Sequence, residues 1–162
     1  MTYILAIGDR CHSSWSLRAW LSFARFGIPV DVRSAVLYTP DLPALLAEEF
    51  GAARTVPALH VVDGDDDFTL WDTIAIGETL AERHPDRGLW PADPAARGLA
   101  RSLAAEMHSS FAALRGACPM NLRRAYAGFE PDATTRAAQA RVQSASIRAR
   151  SVRVVASGSK PA

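Results

Sequence analysis

The residues best suited to chemistry lie in Cys11-His12-Ser13-Ser14-Trp15-Ser16, directly before a helical pattern. A serine at the start of a helix faces unpaired backbone N–H groups and the positive end of the macrodipole, so an anion brought there is stabilised. The competing reading is that Ser13 or Ser14 simply caps the helix. Serine stands at both places of a Cys-x-x-Cys pair, which argues against dithiol redox chemistry. Cys11 comes two residues too early; it reads as a reduced thiol at a loop edge, with a catalytic role as a minor alternative. His12 could act as a base, although a lone loop histidine reads as solvent-facing.

Two further spots have polar or backbone groups to offer. Val56-Pro57 is an X-Pro bond, where a cis peptide is accessible, and a cis bend would expose the Val56 N–H and C=O for an extended peptide to pair with like an added strand. A trans proline opening a strand is the alternative. Asp72-Thr73 begins a helix after a strand. The Thr73 hydroxyl and nearby N–H groups could hold a carboxylate, and Asp72 could accept from an amino group, cap the helix, or do both. The acidic run Asp63-Gly64-Asp65-Asp66-Asp67 fails as a calcium loop, because the twelfth residue from Asp63 is Ile74 where a glutamate is needed. It reads as a solvated hairpin tip. No glycine-rich phosphate loop and no metal-spaced His/Cys cluster is present.

The elements that must position these residues follow from periodicity. Tyr3-Ile4-Leu5-Ala6-Ile7, ended by Gly8-Asp9, reads as a buried strand. Leu17, Trp20, Leu21 and Ala24 recur at i, i+3, i+4 and i+7, a helix stopped by Gly27 and Pro29. Val30 to Val36 alternates as a second strand, and Leu42 to Phe50 makes a short helix with Pro43 near its start. A βαβ unit of this kind places its strands parallel. Ala58 to Val62 and Phe68 to Trp71 flank an Asp-Gly turn, an antiparallel hairpin. A helix runs from Asp72 through Arg83, closed by His84-Pro85. After the proline-rich Leu89-Trp90-Pro91-Ala92-Asp93-Pro94, the residues Leu99, Leu103, Met107, Phe111 and Leu114 mark one face of a long amphipathic helix. The expected organisation is an α/β domain over 1–86, a linker over 87–94, the start of an all-helical domain over 95–131 and a basic tail over 132–162.

The order βαβα-ββα, with a proline opening the third strand, resembles the thioredoxin-like N-terminal domain of cytosolic glutathione S-transferases, over roughly residues 3–125. Ser13-Ser14-Trp15-Ser16-Leu17-Arg18 resembles the serine-bearing motif of the zeta-like class, which includes maleylacetoacetate isomerases. Val56-Pro57 resembles the family's cis-proline signature, Asp72-Thr73 stands where the family has Glu-Ser, and Leu89-Trp90-Pro91 resembles the interdomain linker. The resemblance implies a thioredoxin-like α/β domain followed by an all-α C-terminal domain, with glutathione as co-substrate and no metal. It implies an enzyme that conjugates or isomerises a small electrophile. Ser13, five residues before Arg18, is then the hydroxyl that donates to the glutathione thiolate, with Ser14 as second choice. Trp15 lines the same mouth, and Arg54, Val56, Pro57, Asp72 and Thr73 complete the glutathione site. Relatives often carry a base immediately before the Val, where this chain has Thr55. Unless Arg54 substitutes, the glycine carboxylate loses a charged partner worth about 1.5–3 kcal/mol. The electrophile is expected near Met107, His108 and Phe111, which also read as ordinary helical core.

Length and charge bound these expectations. The chain has 162 residues and a formal charge of +1. No apolar run reaches the roughly 18 residues of a membrane span, and the N-terminus lacks a signal pattern. Two cysteines, Cys11 and Cys118, are too few for a disulfide framework or a zinc site, which fits the cytoplasm. Residues 1–132 hold all 17 acids against 12 of the 18 bases, whereas 133–162 hold six bases, no acid and no aromatic. The tail reads as weakly ordered, and the absence of stacking residues argues against a nucleic-acid arm. The family typically continues through several more helices, one opened by a Ser/Thr-x-x-Asp capping box, and no such segment follows Tyr126. The C-terminal domain therefore reads as incomplete, from truncation or a shifted frame, with a homodimer expected where the fold is complete. The rival function is a non-catalytic thioredoxin-fold binding module or a truncated remnant.

Overall fold

Alternation along β1 (Thr2–Ile7) sends Tyr3, Leu5 and Ile7 into one apolar cluster and Ile4 and Ala6 against another, so this strand is covered on both faces. The computed structural model describes the backbone of residues 1–156 and the side chains of residues 1–147. Two compact units form: Met1–Leu89 with Met120–Leu122, and Trp90–Pro119 with the chain from Arg123 onward. Among the described residues no helix is long and apolar enough to cross a membrane.

In the first unit, β1 is followed by α1 (Ser14–Ala24), β2 (Asp31–Ser34), α2 (Asp41–Glu49), β3 (Ala58–Asp63), β4 (Asp66–Trp71), α3 (Thr73–Arg83) and a 3-10 turn at Pro85–Arg87. The sheet order is β2-β1-β3-β4. β1 runs parallel to β2, with Ile4 opposite Asp31, and antiparallel to β3, with Leu5 opposite Leu59. β3 and β4 form the hairpin, turning through Gly64 at φ 64°. The parallel βαβ unit and the hairpin thus stand where the sequence puts them. β2 is shorter than expected: it ends at Ser34, and the chain turns away through Tyr38 at φ 62°, leaving Val36 exposed.

One core cluster joins Tyr3, Leu5 and Ile7 to Ala19 and Phe23 of α1 and to Ile76 and Leu80 of α3; the other joins Ala6 and Ala58 to Leu46, Phe50 and Ala53 beneath α2. Tyr3 meets Phe23 edge-on at 5.5 Å and bonds His84 Nε2 at 3.0 Å. Burial pushes the Tyr3 phenol up, Arg83 draws it back and Asp63 adds to the rise. Helix α1 is helical as expected but is rotated away from its most apolar stripe. Ser16, Ala19 and Phe23 face the sheet, while Leu17, Trp20 and Leu21 are 37%, 41% and 45% exposed. The buried hydrogen bonds of Ser16, described below, account for this rotation.

The second unit departs from the expectation of one long helix. α4 (Pro94–Ser109) starts with the Asp93 carboxylate accepting from Ala96 N–H at 2.7 Å and ends before Phe111, which takes a left-handed conformation at φ 67°. α5 (Ala112–Ala117) follows. Phe111 therefore lies past the end of the helix that was to carry it. Consecutive serines weaken the helix there, since Ser side chains compete for backbone partners, and the Arg115 Nε donates to the freed Ser110 C=O at 3.1 Å.

The basic tail is also different. Ala133–Ala156 is helical, α6. Asp132 opens it: its carboxylate accepts from Thr135 N–H at 2.7 Å and its C=O from Arg136 N–H at 2.9 Å. Alanine and arginine, both strong helix formers, then carry it forward. The start of this helix has no Ser/Thr-x-x-Asp box and uses a simple aspartate cap instead. Residues 157–162 of the expected tail lie outside the described residues. The Thr135 N–H holds the Asp132 carboxyl below the usual carboxylate range. Its capping contribution is therefore present above the unfolded pKa of about 3.9 and is lost as pH falls through the lower folded value. Asp132→Ala should lower the helical circular-dichroism signal at neutral pH and abolish its acid titration below about pH 4; an unchanged signal and titration would refute the cap.

Candidate functional site

β1 ends at Ile7, and six residues must turn the chain into α1. Asp9 organises that turn. Its C=O accepts from His12 N–H at 3.3 Å and Ser13 N–H at 3.0 Å, while its carboxylate accepts from Cys11 N–H at 2.6 Å and lies 3.0 Å from His12 Nδ1. Ser13 is the N-cap of α1, at φ −94° and ψ 92°. Its Oγ accepts from Ser16 N–H at 3.2 Å and donates to Ser16 Oγ at 2.7 Å. Ser16 Oγ also accepts from Gly8 N–H at 3.0 Å. Ser13 and Ser16 are buried, at 7% and 3% exposure. The capping reading of Ser13 is therefore correct in geometry, and its hydroxyl is turned toward Ser16. Ser14, the first residue of α1, and Trp15 are half-buried. The Arg18 guanidinium sits 4.4 Å from the Trp15 ring centroid.

The other two candidate segments meet this one. Val56–Pro57 is cis. Asp72 N–H donates to the Pro57 C=O at 3.4 Å, and the Asp72 carboxylate caps α3 by accepting from Ile74 N–H at 2.8 Å. Asp72 holds φ at 85° and ψ at 138°, a region rare for residues other than glycine. The Thr73 hydroxyl reaches the Trp15 C=O at 3.5 Å, the long limit for such a bond. Backbone contacts thus tie the cis-proline segment to the start of α3, and the start of α3 to the first turn of α1. Two helix N-termini converge, which concentrates positive potential and N–H groups suited to an anionic, extended ligand. Arg54 is exposed, two residues before Val56.

Reading the sequence missed three contributors. In the sequence Ser16 reads as the second place of a Cys-x-x-Cys pair, with nothing to announce its bonds to Gly8 and Ser13. Asp9 was seen as a strand terminator, although an aspartate at a turn signals this kind of local bonding. Leu122 N–H donates to the Cys11 C=O at 3.1 Å, a contact across so many residues that no local pattern announces it. Cys11 and Cys118 are free thiols. At the hairpin tip, Asp63 and Asp66 pair with Arg83, and Asp67 with His60. Among the described residues no group of three or more His, Cys, Asp or Glu side chains is arranged to hold a metal.

In the second unit, Met107 and His108 are half-buried on α4. The Arg115 guanidinium bonds the Met107 C=O and lies 3.7 Å from its sulfur, and Arg141, which pairs with Glu106, sits 5.3 Å from the Phe111 ring centroid. These residues are engaged in packing within that unit.

Residues 12–83 match the family described as glutathione S-transferase, N-terminal domain. No curated protein matches the chain. Among solved structures, it is similar to a glutathione transferase homolog from Burkholderia gl BGR1 with bound glutathione, at 25% identity and a TM-score of 0.62, covering 91% of this chain and 67% of that one. It is similar to the maleylacetoacetate isomerase of Anaeromyxobacter dehalogenans 2CP-1, with dicarboxyethyl glutathione and citrate in its active site, at 27% identity and a TM-score of 0.58, covering 98% and 67%. It shares its fold with glutathione transferase Omega 2S of Trametes versicolor, at 21% identity and a TM-score of 0.64, covering 90% of this chain and 63% of that one. The chain thus spans about two thirds of the length of these proteins.

Ser13→Ala should cost about 1 kcal/mol of stability through loss of the cap, and Ser13→Gly only a few tenths. Urea unfolding of the two variants checks this, and a Ser13→Ala variant as stable as the parent would mean the cap contributes nothing.

Proposed function

We propose that this chain, which carries the thioredoxin-like N-terminal domain of the glutathione S-transferases followed by a helical region, binds glutathione and activates its thiol for transfer to a small electrophile. The observation that carries this reading is the convergence of the α1 and α3 N-termini beside the cis Val56–Pro57 bond. A tripeptide with two carboxylates, one amino group and an ionisable thiol matches that set of groups.

In this reading the Val56 backbone pairs with the extended peptide, and Asp72 takes the α-amino group. Thr73 with the N–H groups of α3 takes the neighbouring carboxylate, and Arg54 takes the glycine carboxylate. The thiol comes to the N-terminus of α1, where the helix dipole lowers its pKa below the roughly 8.5 of a free thiol. Ser13 donates to the thiolate without becoming a nucleophile; Ser14 is the second choice for that role, and Trp15 borders the mouth. The Burkholderia homolog's bound glutathione supports the assignment of ligand. The same reading places the protein in the cytoplasm as a homodimer.

The similarity to a maleylacetoacetate isomerase favours a second reading of the chemistry. There the thiolate adds to a conjugated double bond, the adduct rotates about what has become a single bond, and the thiolate leaves again, so that glutathione is regenerated.

The test is retention of the folded chain on immobilised glutathione, followed by conjugation and cis-trans isomerisation assays on the eluate. Ser13→Ala should keep glutathione affinity while losing turnover by about 10²-fold or more, the cost typical of removing one donor to a developing or bound anion. Undiminished activity would move the role to Ser14 or Cys11. Folded protein that neither binds nor turns over would leave a non-catalytic module.

A further inference from the structure

The Ser13–Ser16 pair carries one further assignment, which rests on Ser13 being the donor to a bound thiolate. Ser13 Oγ and Ser16 Oγ are 2.7 Å apart, Ser16 N–H reaches Ser13 Oγ at 3.2 Å, and Gly8 N–H reaches Ser16 Oγ at 3.0 Å. Both residues are more than nine-tenths buried. With Ser13 donating, Ser16 Oγ accepts twice, from Gly8 N–H and from Ser13 O–H, and the proton not used within the cluster belongs to Ser16. With the pair reversed, Ser16 donates to Ser13 Oγ while still accepting from Gly8. Ser13 Oγ then accepts from both Ser16 N–H and Ser16 O–H, and the unused proton is its own.

Either arrangement keeps the same three hydrogen bonds inside the cluster. Interconversion needs only two hydroxyl rotations and no movement of heavy atoms, because a serine hydroxyl turns to suit its partners. We infer that Ser16 is a positioning residue: when a thiolate arrives at Ser13, Ser16 takes over donation within the pair and frees the Ser13 proton for the sulfur. Both hydroxyls keep their protons throughout, and the thiol proton leaves to solvent. Ser13 accepting two bonds while donating one is a stronger donor than Ser13 accepting one, since hydrogen bonds in a chain polarise one another. The fixed Gly8 N–H holds Ser16 Oγ in place for this exchange and could not itself replace it.

The readout is the pKa of bound glutathione, followed by thiolate ultraviolet absorbance against pH in the full chain. Ser16→Ala should raise the bound thiol pKa by about one unit and leave the glutathione Kd within about threefold of the parent when measured at a pH acid enough to keep the bound thiol protonated. Ser16→Thr, which keeps the hydroxyl, should restore the parent value. Ser16→Cys fills the space with a weak donor and should show the same rise as alanine, which keeps the experiment decisive if alanine unfolds the domain. An unchanged thiol pKa in folded Ser16→Ala or Ser16→Cys overturns the inference while leaving the glutathione-transferase reading intact. A parent chain that does not bind glutathione overturns both.

Discussion

The amide of Gly8 is the first after β1, it is buried, and its acceptor is the Ser16 hydroxyl. Left unpaired, such a group would cost about 1–3 kcal/mol. This one bond sets the rotation of α1. With Ser16 turned to the sheet, Ala19 and Phe23 at i+3 and i+7 must follow it into the core, and Leu17, Trp20 and Leu21 must turn outward. A Cβ at residue 8 would stand 2.4 Å from the Leu37 side chain, so a larger residue there would have to displace that leucine. A polar requirement at the end of a strand thus overrides the helix's most apolar stripe. The exposed stripe borders a cleft of about 200 Å³ lined by Ile7, Arg10, Ser16, Leu17, Trp20 and Val32.

The groups that end strands and start helices are also the ones the proposed glutathione site draws on. A helix N-terminus has four N–H groups without intrahelical partners, and Ser13 and Asp72 each satisfy one, at Ser16 and at Ile74. Backbone carbonyls satisfy others: Ser13 N–H donates to the Asp9 C=O and Asp72 N–H to the Pro57 C=O, while the aligned dipoles leave positive potential at both starts. The caps fix the helix starts with oxygens from the residue just outside each helix, so one residue serves several contacts. Asp72 shows the cost of this economy, since its positive φ is a conformation few side chains tolerate, yet it places the cap, the contact to Pro57 and the start of α3 at one point.

The helical unit follows a different rule. Its elements are delimited by short local signals: Asp93 and Pro94 at the start of α4, the Ser109-Ser110 pair at its end, and Asp132 before α6. The aspartates were readable. The break before Phe111 was not, because the apolar spacing Leu99, Leu103, Met107, Phe111, Leu114 continues unbroken across it. The serine pair weakens the helix there and packing completes the break, with Phe111 buried under Arg141 and Arg115 bonded to the carbonyls left behind.

Local pattern in the sequence was enough to identify the strands, the βαβ crossover, the hairpin turn and the helix starts at Ser13 and Asp72, because each is decided within a few residues by periodicity, turn chemistry or an N-cap. It also singled out Ser13, Val56-Pro57 and Asp72-Thr73 as the places whose polar or backbone groups could meet a ligand. Only the tertiary structure could bring those three segments together through Asp72 N–H to Pro57 and Thr73 to Trp15, and turn Ser16 rather than Leu17 toward the sheet. The physical reason is range. Those choices follow from satisfying buried amides and carbonyls with partners on other elements, and their spacing along the chain carries no trace of it.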